Sequence, residues 1–215
     1  MPKEDQVRDL KQYLVGFIGG VDAPRKAANV LTRLWIASQP IDNTLRQEAY
    51  VLSGETSQSD HIGLHWGMSL VVFPFFRDVV THMGRVINIQ GNFRRQEIQS
   101  RLLEKYSNHS TIPRCVDRLI QTLLDWQVLI KEGTNAYQVS SRVFASLAMK
   151  KWLIEATVTA TVNKRVLLND LYRLSELFPF NLANEFRGLI AGSQNLRLER
   201  DGNNLEYIVV NETSK

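Results

Sequence analysis

A chain of 215 residues is long enough for one large domain or two small ones, and 44% hydrophobic with 22% charged residues excludes a mostly disordered protein. The net charge of +4 is a mild basic bias, compatible with a polyanionic partner but no proof of one. A single cysteine, Cys115, excludes an internal disulfide framework and a cysteine-rich zinc site; its place in a helical pattern predicts burial as a small apolar residue.

The N-terminus lacks a signal-peptide pattern, and the most apolar segment, "WGMSLVVFPFFRDVVTHMGRV", is interrupted by Arg77 and Asp78. The expectation is a cytoplasmic protein with no membrane partner. Residues 3 to 18 read as a helix with Val7, Leu10, Leu14, Phe17 and Ile18 on one side. After "GGVDAP", Asp22 is expected to cap a second helix with Pro24 in its first turn. "SQPIDN" reads as a turn, "TLRQEAYVLSG" as a third helix and "GETSQSD" as a loop. Residues 62 to 83 read as one long buried helix kinked at Pro74. "INIQGNFRR" interrupts the pattern, and "RQEIQSRLLEKYS" resumes it as a helix with Ile98, Leu102 and Leu103 inward.

Beyond the turn "NHST", Thr111 is the expected cap of the next helix and Pro113 suits its first turn. Ile112, Val116, Leu119, Ile120, Leu123 and Leu124 form one apolar stripe there, leaving Arg114, Asp117, Arg118, Gln121 and Asp125 on the other side. "VLIKEGTNAYQVS" alternates on both sides of Gly133 and predicts a hairpin. Residues 141 to 156 read as a helix, while "ATVTATV" fits either a strand or a buried helix. "VLLNDLYRLSELF" reads as helical. "NLANEFRGLIAGS" reads as a short helix capped by Asn181 and ended near Gly192. "NLRLERDGNNLEYIVV" predicts a second hairpin turning at Asp201-Gly202, with Leu196 and Leu198 alternating on one strand and Leu205, Tyr207 and Val209 on the other. The order helix, turn, helix, hairpin thus occurs twice, at about 94 to 140 and 166 to 210, without sequence identity between the copies.

That order resembles the winged helix-turn-helix family, closely in residues 93 to 140 and more loosely in 166 to 210. The resemblance implies that the second helix enters a DNA major groove and the hairpin lies along the backbone or minor groove. It implies a mainly α fold in three parts: a helical N-terminal region at 1 to 90, a central winged helix-turn-helix at 91 to 140, and a helical linker with a winged-helix-like unit at 141 to 215. Arg114, Arg118 and Gln121 are the candidate base readers, since Arg can grip guanine and Gln can pair with adenine. Arg94, Arg95 and Lys131 are candidate phosphate contacts, with Thr111 and Asn135 beside them at the helix start and the hairpin turn. Between residues 85 and 118, seven bases face three acids; the surplus of four equals that of the whole chain. Asp117 and Asp125 oppose the reading, because carboxylates repel phosphate. The second unit offers few unopposed bases and suits docking to a partner. "RLWIAS", "FPFFRDVV" and "FPFNLANEFRGLI…LRLERDGNNLEYIV" are similar to the A-component family of BREX phage-resistance systems. That similarity implies a double-stranded-DNA-binding accessory of bacterial defence, alongside other defence proteins. A protein-docking scaffold and a transcriptional regulator are the alternatives.

Other signals carry less. "HIGLH" places His61 and His65 four apart, but Ile62 stands where a zinc protease needs Glu, so no metal site is assigned. "GFIGG" lacks the Lys-Ser/Thr of a phosphate loop and reads as a helix stop. No Ser-His-Asp set emerges, so no catalytic residue or cofactor is expected. Trp35, Trp66, Trp126 and Trp152 lie on helical stripes and read as core.

Overall fold

In a computed structural model, residues 3–36, 43–57, 60–140, 143–144, 146–182 and 186–211 are described. The chain is mainly helical with small sheets, and it divides into two compact units, residues 1–51 and 52–215. Most of the expected turn "SQPIDN" lies outside the described residues, as does part of "GETSQSD", whose first two residues extend the preceding helix.

The first unit holds α1 (Lys3–Val15), α2 (Ala23–Leu31), a π-helical turn at Thr32–Ile36 and most of α3 (Asn43–Glu55). Leu14, Ala28, Leu34, Leu45 and Ala49 form its small core. Arg46 ties α3 to the π turn by donating from Nε to the Leu34 carbonyl at 2.9 Å and from Nη2 to that of Arg33 at 3.2 Å. Asp22 does not cap α2 with its side chain: its carboxylate accepts from Arg25 at 3.1 Å.

The expected helix over 62 to 83 is two helices, α4 (His61–Val72) and α5 (Pro74–Gln90). Pro74 excludes helical geometry at the residue before it, and Phe73 is extended at φ −121°, ψ 90°. The proline therefore starts a helix rather than kinking one. Two glycines let α4 approach α8 (Leu147–Ala160) closely: a Cβ at Gly67 would lie 2.4 Å from the Trp152 ring, and one at Gly63 2.8 Å from the Met149 sulfur. Trp66 is the hub of this layer. Phe76, Phe178 and Phe180 meet it edge-on at 5.2, 5.6 and 5.7 Å, and its indole N–H donates to the Glu176 carbonyl at 2.9 Å. The α5 backbone meets residues 175–178 just as tightly, since a Cβ at Gly84 would stand 1.8 Å from the Ser175 carbonyl oxygen.

α5 runs seven residues past its expected end and stops at Gly91, in the left-handed region at φ 84°. Then come β1 (Asn92–Arg94), α6 (Arg95–Lys105), α7 (Ile112–Asp125), β2 (Leu129–Glu132) and β3 (Ala136–Val139). The hairpin turns where expected, with Gly133 at φ 61°. β3 is the central strand of an antiparallel sheet of order β1-β3-β2, because β1 returns to pair with it through Phe93 opposite Tyr137.

Four expectations for the C-terminal part need correction. A short strand, β4 (Val143–Phe144), precedes α8, which starts at Leu147 behind Ser146; the Ser146 hydroxyl accepts from the Met149 N–H at 3.2 Å. α8 takes in most of "ATVTATV", so burial decides in favour of a helix there. "VLLNDLYRLSELF" begins as β5 (Arg165–Leu167) and continues as 3₁₀ turns at Leu168–Arg173 and Ser175–Leu177. Asn181 lies in β6 (Phe180–Asn181), which pairs in parallel with β4; the helix α9 is described over Phe186–Ala191. The last hairpin, β7 (Leu196–Arg200) with β8 (Glu206–Val210), forms as expected in an antiparallel sheet of order β5-β8-β7. Its phase differs: Ile208 is the fully buried residue of β8, packed with Leu196, Ile154, Val158, Leu189 and Ile190, while Leu198 and Leu205 are exposed. Among the described residues no helix is long and apolar enough to cross a membrane.

Candidate nucleic-acid interface

The apolar stripe of α7 sets its orientation. Ile112, Val116, Ile120 and Leu123 are buried against the rest of the unit, with Leu119 and Leu124 half-buried beside them. Arg114, Arg118, Gln121 and Asp125 follow at steps of four, three and four, which places all four on the opposite, exposed side of the helix. Neither the Arg114 nor the Arg118 guanidinium has a hydrogen bond or ion pair with any described residue, although the Arg118 carbonyl accepts from the Thr122 hydroxyl at 3.0 Å. Gln121 is engaged: its amide donates to Asp125 at 2.8 Å. Cys115 is half-buried rather than sealed in the core.

A second group of candidates gathers at the junction of α6 and the hairpin. Arg94, Arg95, Gln96 and Gln99 on one side and Glu132, Thr134, Asn135 and Ala136 on the other line an open cleft of about 680 Å³. Arg94, Gln96, Thr134 and Asn135 offer side-chain donors that are bonded to no other described residue, whereas the Glu132 carboxylate is occupied by the Asn92 amide at 2.7 Å. Lys131 is exposed on β2 and Thr111 is exposed before α7; neither lines the cleft. Thr111 also fails as a cap, its hydroxyl lying 3.0 Å from His109 Nδ1.

Arg95 is the candidate with the most partners. Its Nη2 donates to the Tyr137 hydroxyl at 2.8 Å, and its Nε lies 3.4 Å from the Asp117 carboxylate. Gln99 donates to the same carboxylate oxygen at 2.8 Å and to the Pro113 carbonyl at 3.3 Å. Both carboxylates that seemed to oppose an anionic partner are thus held by neighbours, Asp117 by Arg95 and Gln99 and Asp125 by Gln121. The sequence reading missed β1, Gln96, Gln99 and Thr134, and with them the cleft. Three residues are too few to display a strand period, and only Phe93 hinted at one.

At the end of α6, Lys105 is paired with α5. Lys105 lies 2.7 Å from Asp78, which also accepts from the Tyr106 hydroxyl at 2.6 Å. Burial opposes the charge on Asp78, but these two donors outweigh it and hold the carboxyl below its ordinary range, while burial and Asp78 push the Tyr106 hydroxyl up to about 12. Around the last hairpin the arginines are engaged as well. Arg187 and Arg200 both bind Glu206, Arg197 donates to Glu199 at 2.6 Å, and the Arg165 guanidinium lies 3.4 Å over the Tyr207 ring.

The two histidines of "HIGLH" have separate partners. His61 Nε2 is 3.1 Å from the Ser53 carbonyl and His65 packs on Trp126, its pKa lowered by burial and by His61. Among the described residues no three His, Cys, Asp or Glu side chains are grouped to hold a metal. No protein-family model, no curated protein and no solved structure matches this chain.

Proposed function

We propose that the chain binds double-stranded DNA through a central winged helix-turn-helix, without catalysis. The observation that carries this reading is the solvent side of α7, where the Arg114 and Arg118 side chains stand exposed and unpaired opposite a largely buried apolar stripe. α7 takes the part of the helix in the major groove, the β2–β3 hairpin is the wing, and β1 is the third strand of its sheet. Arg114 and Arg118 read base edges; Arg94 and Lys131 contact phosphates; Thr111 and Asn135 lie within reach of the same backbone. Gln121 reads a base only by exchanging its bond to Asp125.

Titration of a fluorescent duplex tests the reading. With four cations engaged, affinity should fall roughly 100-fold between 50 and 200 mM salt. Affinity that is immeasurable at both salt concentrations would end it. A role as an accessory of a bacterial defence system, in company with other defence proteins, draws its support from the short BREX-like motifs.

A docking role is favoured for the C-terminal unit by one observation: Arg165, Arg187, Arg197 and Arg200 are all engaged within it. Duplex DNA would have to break those contacts to use them.

A further inference from the structure

The Arg95 guanidinium joins three elements at one point. Arg95 opens α6, Tyr137 is on the central strand β3, and Asp117 is midway along α7. The Tyr137 ring is buried and stacked on Phe93 at 5.4 Å, so its hydroxyl is held at a fixed place on the sheet. Gln99 fixes the other end by bonding both Asp117 and the Pro113 carbonyl. The planar fork of Arg95 spans these two fixed points, Nη2 to the hydroxyl and Nε to the carboxylate. A lysine ammonium, a single point on a flexible stem, cannot satisfy both in that geometry.

We propose that Arg95 is a positioning residue, a brace that sets the angle of the hairpin against α7 and the width of the cleft between α6 and the hairpin turn. This rests on the DNA-binding reading and changes the role that charge alone suggests for Arg95. As a phosphate ligand it would serve through Nη1 or give up Tyr137 and Asp117, and its loss would cost a charge contact that lysine can replace. As a brace it keeps both, and the duplex meets a surface already arranged, without the ordering cost of a loose hairpin. Asp117 and Tyr137 then affect DNA affinity without touching DNA.

Tyr137→Phe removes one hydroxyl and no charge; Arg95→Lys keeps the charge and removes the fork. Both are compared with the wild-type chain by duplex titration across salt, with melting temperature as the control on folding. The brace predicts about a tenfold loss of affinity for each variant and an unchanged salt slope. It also predicts no further loss in the double variant, because both break one contact. A phosphate ligand predicts otherwise: Tyr137→Phe leaves affinity intact or raises it by freeing Arg95, and lysine rescues it. A purely structural role lowers the melting temperature and leaves affinity at lower temperature unchanged. Either of these results, with wild-type binding intact, overturns the brace alone. Wild-type chain that does not bind duplex overturns the brace together with the reading beneath it.

Discussion

The central and C-terminal units share a chain path and differ in almost everything laid upon it. In each, a long helix leads into a short strand, helical segments follow, and a hairpin returns so that its last strand pairs with the first: β1-β3-β2 in one, β5-β8-β7 in the other. The central unit fills the interval with two full helices, of 11 and 14 residues; the C-terminal unit uses 3₁₀ turns, a short strand and a helix described over Phe186–Ala191. The cations differ in the same sense, unpaired on α7 and tied down around β7 and β8. Two units of one strand order therefore differ in how their arginines are engaged, and strand order alone does not set that.

The largest expected effect comes from where the two units touch. Gly84→Val forces side-chain carbons into the Ser175 backbone, which cannot rotate away, and should cost about 3 kcal/mol or more in chemical denaturation. Unchanged stability would mean the contact is loose. Next is the exposed edge of α7. Arg114→Ala with Arg118→Ala should weaken duplex binding about 100-fold, roughly 2.7 kcal/mol, with little change in melting temperature. Unfolding instead would make the two arginines structural.

Acid tests the pairing of Lys105 with Asp78. Asp78 has a depressed folded-state pKa, so its contribution is present above the ordinary carboxylate range and is lost as pH falls through the depressed value. Asp78→Asn should lower the melting temperature at pH 7 and flatten its decline below about pH 4. Glu206 is depressed too, mainly by Arg200 and then Arg187, but both arginines are exposed, and a surface ion pair of this kind should leave a smaller trace. The smallest effect completes the comparison: Arg187→Ala with Arg200→Ala should alter duplex affinity less than twofold and stability by under about 0.5 kcal/mol. A tenfold loss of affinity would give the C-terminal unit a DNA role after all.

Where side chains repeat with a clear period, the sequence was a good guide. The α7 stripe, the turn at Gly133 and the hairpin at Asp201-Gly202 are local patterns, and each formed in place. Pro74 misled because a proline inside an apolar run looks like a kink, whereas its effect on Phe73 is a full stop. "VLLNDLYRLSELF" misled because leucines spaced for a helix also serve a strand followed by tight turns, once β8 is present to pair with β5. The candidate arginines were legible as cations, but their partners were not. Nothing near Arg95 in the sequence announces a tyrosine 42 positions later or an aspartate 22 positions later. Helical spacing did suggest the Gln121 and Asp125 pair, which was read as two separate groups.

The glycine at position 84 has one more implication. With backbone against backbone, and the Trp66 aromatic cluster seated beside it, the joint between α5 and residues 175–178 has no slack to act as a hinge. A ligand gripped by the β7–β8 face would be presented at a constant bearing and distance from whatever α7 holds, like two tools mounted on a single handle.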